Sequence, residues 1–319
     1  MKRIGVLTSG GDSPGMNAAV RSAVRTGLFL GMEVYGIARG YEGLLDGEVK
    51  PMEWSSVGDI LQRGGTVLKT ARSERFRTEE GLRHAVDILD TFGIEGLVVI
   101  GGDGSLHGGL ELSERGVTVM GIPGTIDNDL AYTDFTIGFD TAVNTVLSLI
   151  SNIRDTSSSH ERTTVIEVMG RRCGDIALHA GIAGGADVIL VPEVVFDINE
   201  VCRRVIRGQQ SGKQHSIIIK AEGVDISTDE LTETVQERTG CEARKVVPGY
   251  IQRGGTPSAK DRILASRTAE KAVRLLYDDE SSKAVGICGG DITAYDLAEA
   301  LKIEREFDRD LYDLAMTLA

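Results

Sequence analysis

The chain has 319 residues, 41% of them hydrophobic and 26% charged, with a formal net charge of −13. That length exceeds what one core usually serves, so two domains of a soluble globular protein are expected, and the negative balance argues against a nucleic-acid or anionic-membrane partner. Four cysteines, Cys173, Cys202, Cys241 and Cys288, lie far apart with no CxxC pair and read as reduced thiols of a cytoplasmic protein, and no apolar run approaches the ~20 residues of a membrane span.

Strand and helix alternate from the first residues. Residues 4–8 read as a strand, which the Gly10-Gly11-Asp12 turn ends, so the start of the chain is expected to be a strand and not a secretion signal. Residues 16–30 form a predicted helix with an apolar stripe, Met16, Ala19, Val20, Ala23, Val24 and Leu28, at i, i+3, i+4 spacing. A strand over 33–38 follows, then a looser stretch over 40–73 with a helical turn expected at 58–61, then a helix over 79–92. The short β-branched runs 96–100 and 117–122 read as buried parallel strands, with a helix over 105–115 between them. Beyond lie a helix over 141–154 and strands over 163–168, 188–191 and 216–221, which alternate with helices over 175–184, 199–209 and 229–239. A further strand over 246–250, a long helix over 257–277, a strand over 284–288 and a closing helix over 308–318 complete the chain. This alternation is the pattern of parallel sheets covered on both faces. The string Gln-Arg-Gly-Gly-Thr occurs at 62–66 and again at 252–256, but the intervening sequence is too dissimilar to establish a repeat.

Two loops concentrate the chemistry. They follow the runs 96–100 and 117–122, at strand carboxyl ends, where open α/β sheets bind ligands. In Gly101-Gly102-Asp103-Gly104-Ser105 the glycines let a phosphate approach backbone N–H groups at a helix start. Asp103 would repel that phosphate unless a cation intervenes, so it reads as a magnesium ligand, direct or through water; the alternative is a plain βα turn with an N-cap aspartate. In Pro123-Gly124-Thr125-Ile126-Asp127-Asn128-Asp129, a carboxylate could accept a hydroxyl proton as that hydroxyl attacks a phosphoryl group; the alternative is an Asx-rich turn. Arg162, Arg171, Arg172, Arg244 and Arg253 fall in predicted loops or strand ends and could match phosphate bidentately, or each could be a solvated surface residue. Arg171 stands out because it directly ends a strand. Arg21 and Arg25 form a second basic set at i, i+4 on the first helix, which Arg154, Lys213 and His215 could join; an anion would relieve the repulsion, and a solvated face is the alternative. GxxxxGK[ST], GxGxxG, GxSxG and zinc-ligand spacings are absent.

Several strings, in order, make the chain resemble the bacterial-type ATP-dependent 6-phosphofructokinases over essentially its whole length. They are Gly5-Val6-Leu7-Thr8-Ser9-Gly10-Gly11-Asp12, the two loops above, Glu167-Val168-Met169-Gly170-Arg171, Ala221-Glu222-Gly223 and Gln252-Arg253-Gly254-Gly255. The resemblance implies an α/β fold of two parallel-sheet, Rossmann-like three-layer domains with chain crossovers: residues 1–138 and 251–300 for ATP, residues 139–250 and 301–319 for the sugar phosphate. It implies magnesium-dependent transfer of the ATP γ-phosphoryl group to the 1-hydroxyl of fructose 6-phosphate, giving fructose 1,6-bisphosphate and ADP. Gly11, Arg72, Ser73, Gly102, Asp103, Gly104 and Ser105 would hold Mg-ATP. Asp127 would be the general base, with Thr125, Ile126 and Asp129 beside it. Met169, Gly170, Glu222, Tyr250 and Arg253 would surround the sugar phosphate, and Arg171 would steady the transition state. Arg162 and Arg244 would reach in from a neighbouring subunit of a homotetramer. A second intersubunit site, for an ADP activator and the inhibitor phosphoenolpyruvate, would use Arg21, Arg25, Arg154, Gly185, Asp187, Ser211, Lys213 and His215.

The sequence departs from the family pattern in places. Asp187 stands where glutamate is usual, Ser211 and Gln214 where basic residues are usual, and Tyr250 where histidine is usual. The related pyrophosphate-dependent enzymes tend to carry aspartate at the position of Gly104 and lysine at that of Gly124, so the two glycines favour ATP. A non-enzymatic sugar-phosphate sensor is the alternative of a different class; it would keep the arginines without needing Asp127.

Overall fold

The central strands are apolar at successive positions, and burial on both faces follows from that. A computed structural model describes residues 1–318. In chain order the elements are β1 (Arg3–Thr8), α1 (Met16–Phe29), β2 (Glu33–Ile37), α2 (Gly40–Leu45), β3 (Val49–Pro51), α3 (Glu79–Phe92), β4 (Gly96–Gly101), α4 (Asp103–Ser113), β5 (Thr118–Thr125), β6 (Ile137–Gly138) and α5 (Phe139–Ser159). There follow β7 (Thr163–Val168), α6 (Asp175–Gly184), β8 (Val188–Leu190), α7 (Ile198–Gln210), β9 (Ser216–Ala221), α8 (Thr228–Thr239) and β10 (Ala243–Val246). The chain ends with α9 (Ala259–Tyr277), β11 (Lys283–Cys288), β12 (Asp291–Asp296), α10 (Leu297–Ala300) and α11 (Arg309–Leu318).

The chain divides into two compact units, neither continuous in sequence. One comprises Met1–Ile126, Leu130–Thr141 and Arg253–Arg305; the other comprises Asp127–Asp129, Ala142–Gln252 and the residues from Glu306 onward.

The first unit holds an eight-stranded sheet in the order β12-β11-β5-β4-β1-β2-β3, with β6 paired to the end of β5. Alternate side chains of its strands feed two cores. Val6 and Val98 meet Val20, Val24, Ala265 and Ala269 of α1 and α9 on one face. Leu7, Leu97 and Val99 meet Leu44, Leu89 and Leu106 of α2, α3 and α4 on the other. The sheet is parallel except at its rims, where β2–β3 and β11–β12 pair antiparallel, so it is mixed rather than wholly parallel. The β11–β12 hairpin turns on Gly289 and Gly290, at φ of 59° and 92°, conformations that favour glycine. The two copies of the Gln-Arg-Gly-Gly-Thr string meet here: a side chain at Gly64 would strike the Gly255 carbonyl.

Asp261 anchors this unit at the place where α5 begins. It is buried, and its carboxylate accepts from the Gly138 N–H at 2.9 Å and from the Thr141 N–H and hydroxyl at 2.8 and 2.5 Å. Burial pushes its carboxyl above the ordinary range, against the pull of the Thr141 and Gly138 donors. Asp261→Ala strands those donors and is expected to cost about 3–5 kcal/mol of stability, read as a lower urea midpoint, with Asp261→Asn in between. An alanine variant as stable as the wild type would show that water replaces the carboxylate without loss.

The second unit is a four-stranded, wholly parallel sheet in the order β10-β7-β9-β8. Helix α6 covers β8 and β9 and carries α11, while α8 covers β7 and β10 beside α7.

Most element boundaries fall within a few residues of expectation, and two do not. The turn expected at 58–61 lies at Trp54–Val57, fixed by reciprocal capping between Glu53 and Ser56. The strand expected over 246–250 instead ends at Val246, and Gly249–Arg253 winds into a 3₁₀ turn after Pro248, which has no N–H to offer a ladder. Helices α2 and α10, the short β6 and the edge strands β3 and β12 were not expected, and α5 runs on to Ser159, past the expected end at 154.

Candidate active site

In the first unit the glycine turns after β1 and β4 press against each other. A Cβ at Gly10, whose φ is 83°, would lie 2.9 Å from the Ser105 hydroxyl, and one at Gly101 would lie 2.7 Å from the Ser9 carbonyl. Gly102 is the N-cap of α4 in an extended conformation, with no side-chain cap bond, and it abuts Thr125 at the end of β5. Asp103 is therefore not the N-cap. It occupies the first helical position with a carboxylate 52% exposed, Oδ1 lying 3.2 Å from Nδ1 of His107. A Cβ at Gly104 would meet nothing within 4 Å.

Among the described residues no group of three or more His, Cys, Asp or Glu could by itself hold a metal ion. Magnesium carried with nucleotide phosphates needs only one or two carboxylates and its own waters. One exposed carboxylate beside the first N–H groups of α4 fits that requirement.

The strap around Arg72 and Ser73 is pinned at both ends. Thr70 donates to the Gly10 carbonyl at 2.7 Å, and the Ser73 hydroxyl accepts from the Phe76 N–H at 3.1 Å. The Phe76 ring stacks on Tyr41 with centroids 4.0 Å apart, and the Tyr41 hydroxyl donates to the Ser105 carbonyl at 2.6 Å. Arg72 is exposed. Arg253, expected at the sugar phosphate, belongs to this unit: its guanidinium covers Gly11 and donates to the Asp12 carbonyl at 3.2 Å.

In the second unit Asp127 is 2% exposed, and its Oδ2 lies 3.3 Å from Nε of Arg171, a side chain 55% exposed. Arg171 has φ 55° and follows Gly170 at φ 136°. This left-handed turn is held by Glu222, whose Oε1 accepts from the Gly170 and Arg171 N–H groups at 3.2 and 2.7 Å. Asn128, at φ 53°, donates to Asp175 at 2.7 Å, which ties the Asp127 loop to the start of α6; Asp129 is partly buried beside it. Sequence reasoning passed over Asp175, although an acidic residue at a helix start was a signal to consider.

A cavity of about 190 Å³ opens at the carboxyl ends of β7 and β9, lined by Glu167, Met169, Glu222, Gly249, Tyr250 and Gln252 among others. Tyr250 is 83% exposed at its rim. Glu167 bonds Lys220 and the Thr228 hydroxyl; burial pushes its carboxyl up, but those two partners outweigh burial and hold it below the ordinary range.

Arg162 and Arg244 are not at that cavity. They lie at the amino ends of β7 and β10, the opposite end of the same strands, and both meet Glu242, at 3.2 and 2.7 Å.

Four of the expected effector residues of the second unit cluster around Gly185. Arg154 donates to its carbonyl at 2.8 Å and reaches Nε2 of His215 at 3.3 Å, while Lys213 pairs with Asp187, whose other oxygen accepts from the Ile217 N–H at 2.8 Å. Burial, then Arg154 and Lys213, push the His215 imidazole below its ordinary range against the pull of Asp187. Ser211 caps the end of α7 and is exposed. Arg21 and Arg25 lie on α1 of the first unit, where Arg25 sits 5.5 Å from the ring centre of Trp54. Burial and the nearby Arg25 charge lower the pKa of Arg21.

The family model for phosphofructokinase matches residues 3–276. A Clostridium tetani protein named ATP-dependent 6-phosphofructokinase is 59% identical over 319 residues, 100% of each chain, and one of the same name from Clostridium botulinum is 57% identical over the same span. A solved phosphofructokinase from Saccharomyces cerevisiae superposes with a TM-score of 0.90 at 37% identity, covering 100% of this chain and 47% of the yeast chain, so this chain spans about half of that one. A pyrophosphate-dependent phosphofructokinase from Marinobacter aquaeolei has a TM-score of 0.88 at 22% identity over 100% of this chain and 91% of its own, a likeness of fold alone. With full-length identity of this order beneath the loop geometry, the chain belongs to the phosphofructokinase family.

Proposed function

We infer that this protein is an ATP-dependent 6-phosphofructokinase of glycolysis, transferring the γ-phosphoryl group of ATP to the 1-hydroxyl of fructose 6-phosphate. The observation that carries the residue roles is the buried Asp127 carboxylate facing the Arg171 guanidinium. The sugar oxygen forms the new bond to phosphorus as the bond between the γ-phosphorus and its bridging oxygen breaks, with that electron pair leaving on ADP. Asp127 takes the hydroxyl proton, and Arg171 balances charge on the transferred group. Asp103 would hold the magnesium ion, directly or through water, and the first N–H groups of α4 would donate to the phosphates; the bound ion would neutralise phosphate charge. The first unit then takes the nucleotide, and the second takes the sugar at Met169, Gly170, Glu222 and Tyr250.

Arg162 and Arg244, remote from the cavity in their own chain, are assigned to a neighbouring subunit's substrate in a homotetramer. The protein works in the cytoplasm. The test is a coupled assay with fructose 6-phosphate that compares ATP with pyrophosphate. Turnover with pyrophosphate and none with ATP overturns the reading, and binding of the sugar phosphate without turnover would make the protein a sensor.

Arg21, Arg25, Arg154, Gly185, Asp187, Lys213 and His215 are assigned to a regulatory anion site for ADP or phosphoenolpyruvate. Truncating Arg21 and Arg25 together is expected to abolish the ADP response and leave maximal turnover intact. Full ADP activation in the double variant would remove the assignment.

A further inference from the structure

The residue that holds the two sides of the sugar cavity together is one to which no role has been given. Gln252 is 1% exposed. Its Oε1 accepts from the Met169 N–H at 3.0 Å, and its Nε2 donates to the Gly249 carbonyl at 3.1 Å. Met169 begins the turn that delivers Arg171 to Asp127, while Gly249 precedes Tyr250 at the opposite rim. A neutral primary amide can donate and accept at once, which no carboxylate or ammonium of that length can do.

The recurrent string supplies an internal control. Gln62, in the other copy, donates its Nε2 to the Asp59 carbonyl at 3.0 Å, three residues back, as Gln252 does to Gly249. Asp59 and Gly249 share a left-handed conformation, with φ of 51° and 57°. The donor arm is therefore local turn chemistry common to both copies. Gln62 is exposed, and only Gln252 is buried with an acceptor arm that spans to a second segment of the chain.

We propose that Gln252 is a positioning residue for the sugar phosphate: its amide ties the end of β7 to the 249–253 turn and sets the distance between Met169 and Tyr250. Substrate affinity then depends on Gln252 through those two neighbours. This rests on reading the cavity as the sugar-phosphate site.

The experiment compares the wild type with Gln252→Met, which keeps the length and loses both bonds, and Gln62→Met, which loses only the local one. KM for fructose 6-phosphate is expected to rise about tenfold in Gln252→Met as Met169 and Tyr250 lose their spacing, with KM for ATP near the wild-type value, while the melting temperature falls with the two lost bonds. Gln62→Met should leave all three near the wild-type values. A residue of purely structural importance would lower the melting temperature and the active fraction without separating the two KM values. An unchanged KM for fructose 6-phosphate in Gln252→Met, or equal shifts in the two variants, overturns the proposal. Should Gln252→Met not fold, Gln252→Asn keeps the amide but is too short to reach both partners; the same separation of KM values supports the proposal and its absence overturns it. A wild type that neither binds nor phosphorylates fructose 6-phosphate would sink the underlying reading as well, an outcome distinct from normal wild-type kinetics with an unresponsive Gln252 variant.

Discussion

Asp127→Ser is expected to lower kcat by about 10²- to 10⁴-fold, the usual contribution of a positioned general base, and to move KM for fructose 6-phosphate only slightly. The carboxylate is almost wholly withdrawn from solvent, and its neighbour Arg171 is half in solvent. Water can serve the exposed Arg171 guanidinium once the anion is gone, and the fold should survive. Serine keeps an oxygen near the same place but cannot take a proton at neutral pH, so the deficit should appear in turnover rather than in binding. The measurement is steady-state kinetics at saturating ATP over a range of fructose 6-phosphate. A variant within a few-fold of wild-type kcat would show that the proton leaves by another route. Arg171→Met should lower kcat too, since Arg171 is the group that faces Asp127 and the Glu222 bonds hold it there.

The strand runs at 96–100 and 117–122 were legible because both faces of each are buried and the side chains say so without any tertiary information. The first of the loops after them was legible for a related reason: glycine is used where neighbouring segments approach closely, as Gly101 does at the Ser9 carbonyl and Gly102 at the Thr125 side chain. The resemblance to phosphofructokinases supplied residue roles that spacing alone could not. What stayed hidden were features made by segments distant in sequence. Nothing local in Gln252 announces a bond to Met169, and nothing in Tyr41 announces one to Ser105. Nor does the string around Arg253 announce that its guanidinium rests over Gly11. Edge strands β3 and β12 escaped notice because a rim strand needs no apolar run; β12 has no buried residue.

Gly104→Asp is expected to lower kcat/KM for ATP by about 100-fold or more, because a carboxylate set against a polyphosphate costs several kcal/mol. The structure makes this a clean test of where the nucleotide lies. A side chain at Gly104 meets nothing within 4 Å, so the protein itself has room for it. Position 104 is also in the first turn of α4, where an acidic side chain interacts favourably with the helix dipole and where replacing glycine stabilises the helix. The melting temperature should therefore hold or rise while ATP use collapses, a combination that damage to the fold cannot produce. Gly104→Ala separates shape from charge: it adds the Cβ without the carboxylate and should cost much less of the ATP kcat/KM than aspartate does. If Gly104→Asp keeps ATP turnover near the wild-type level, the phosphates do not pass over this turn, and the assignment of Asp103 to their magnesium falls with it.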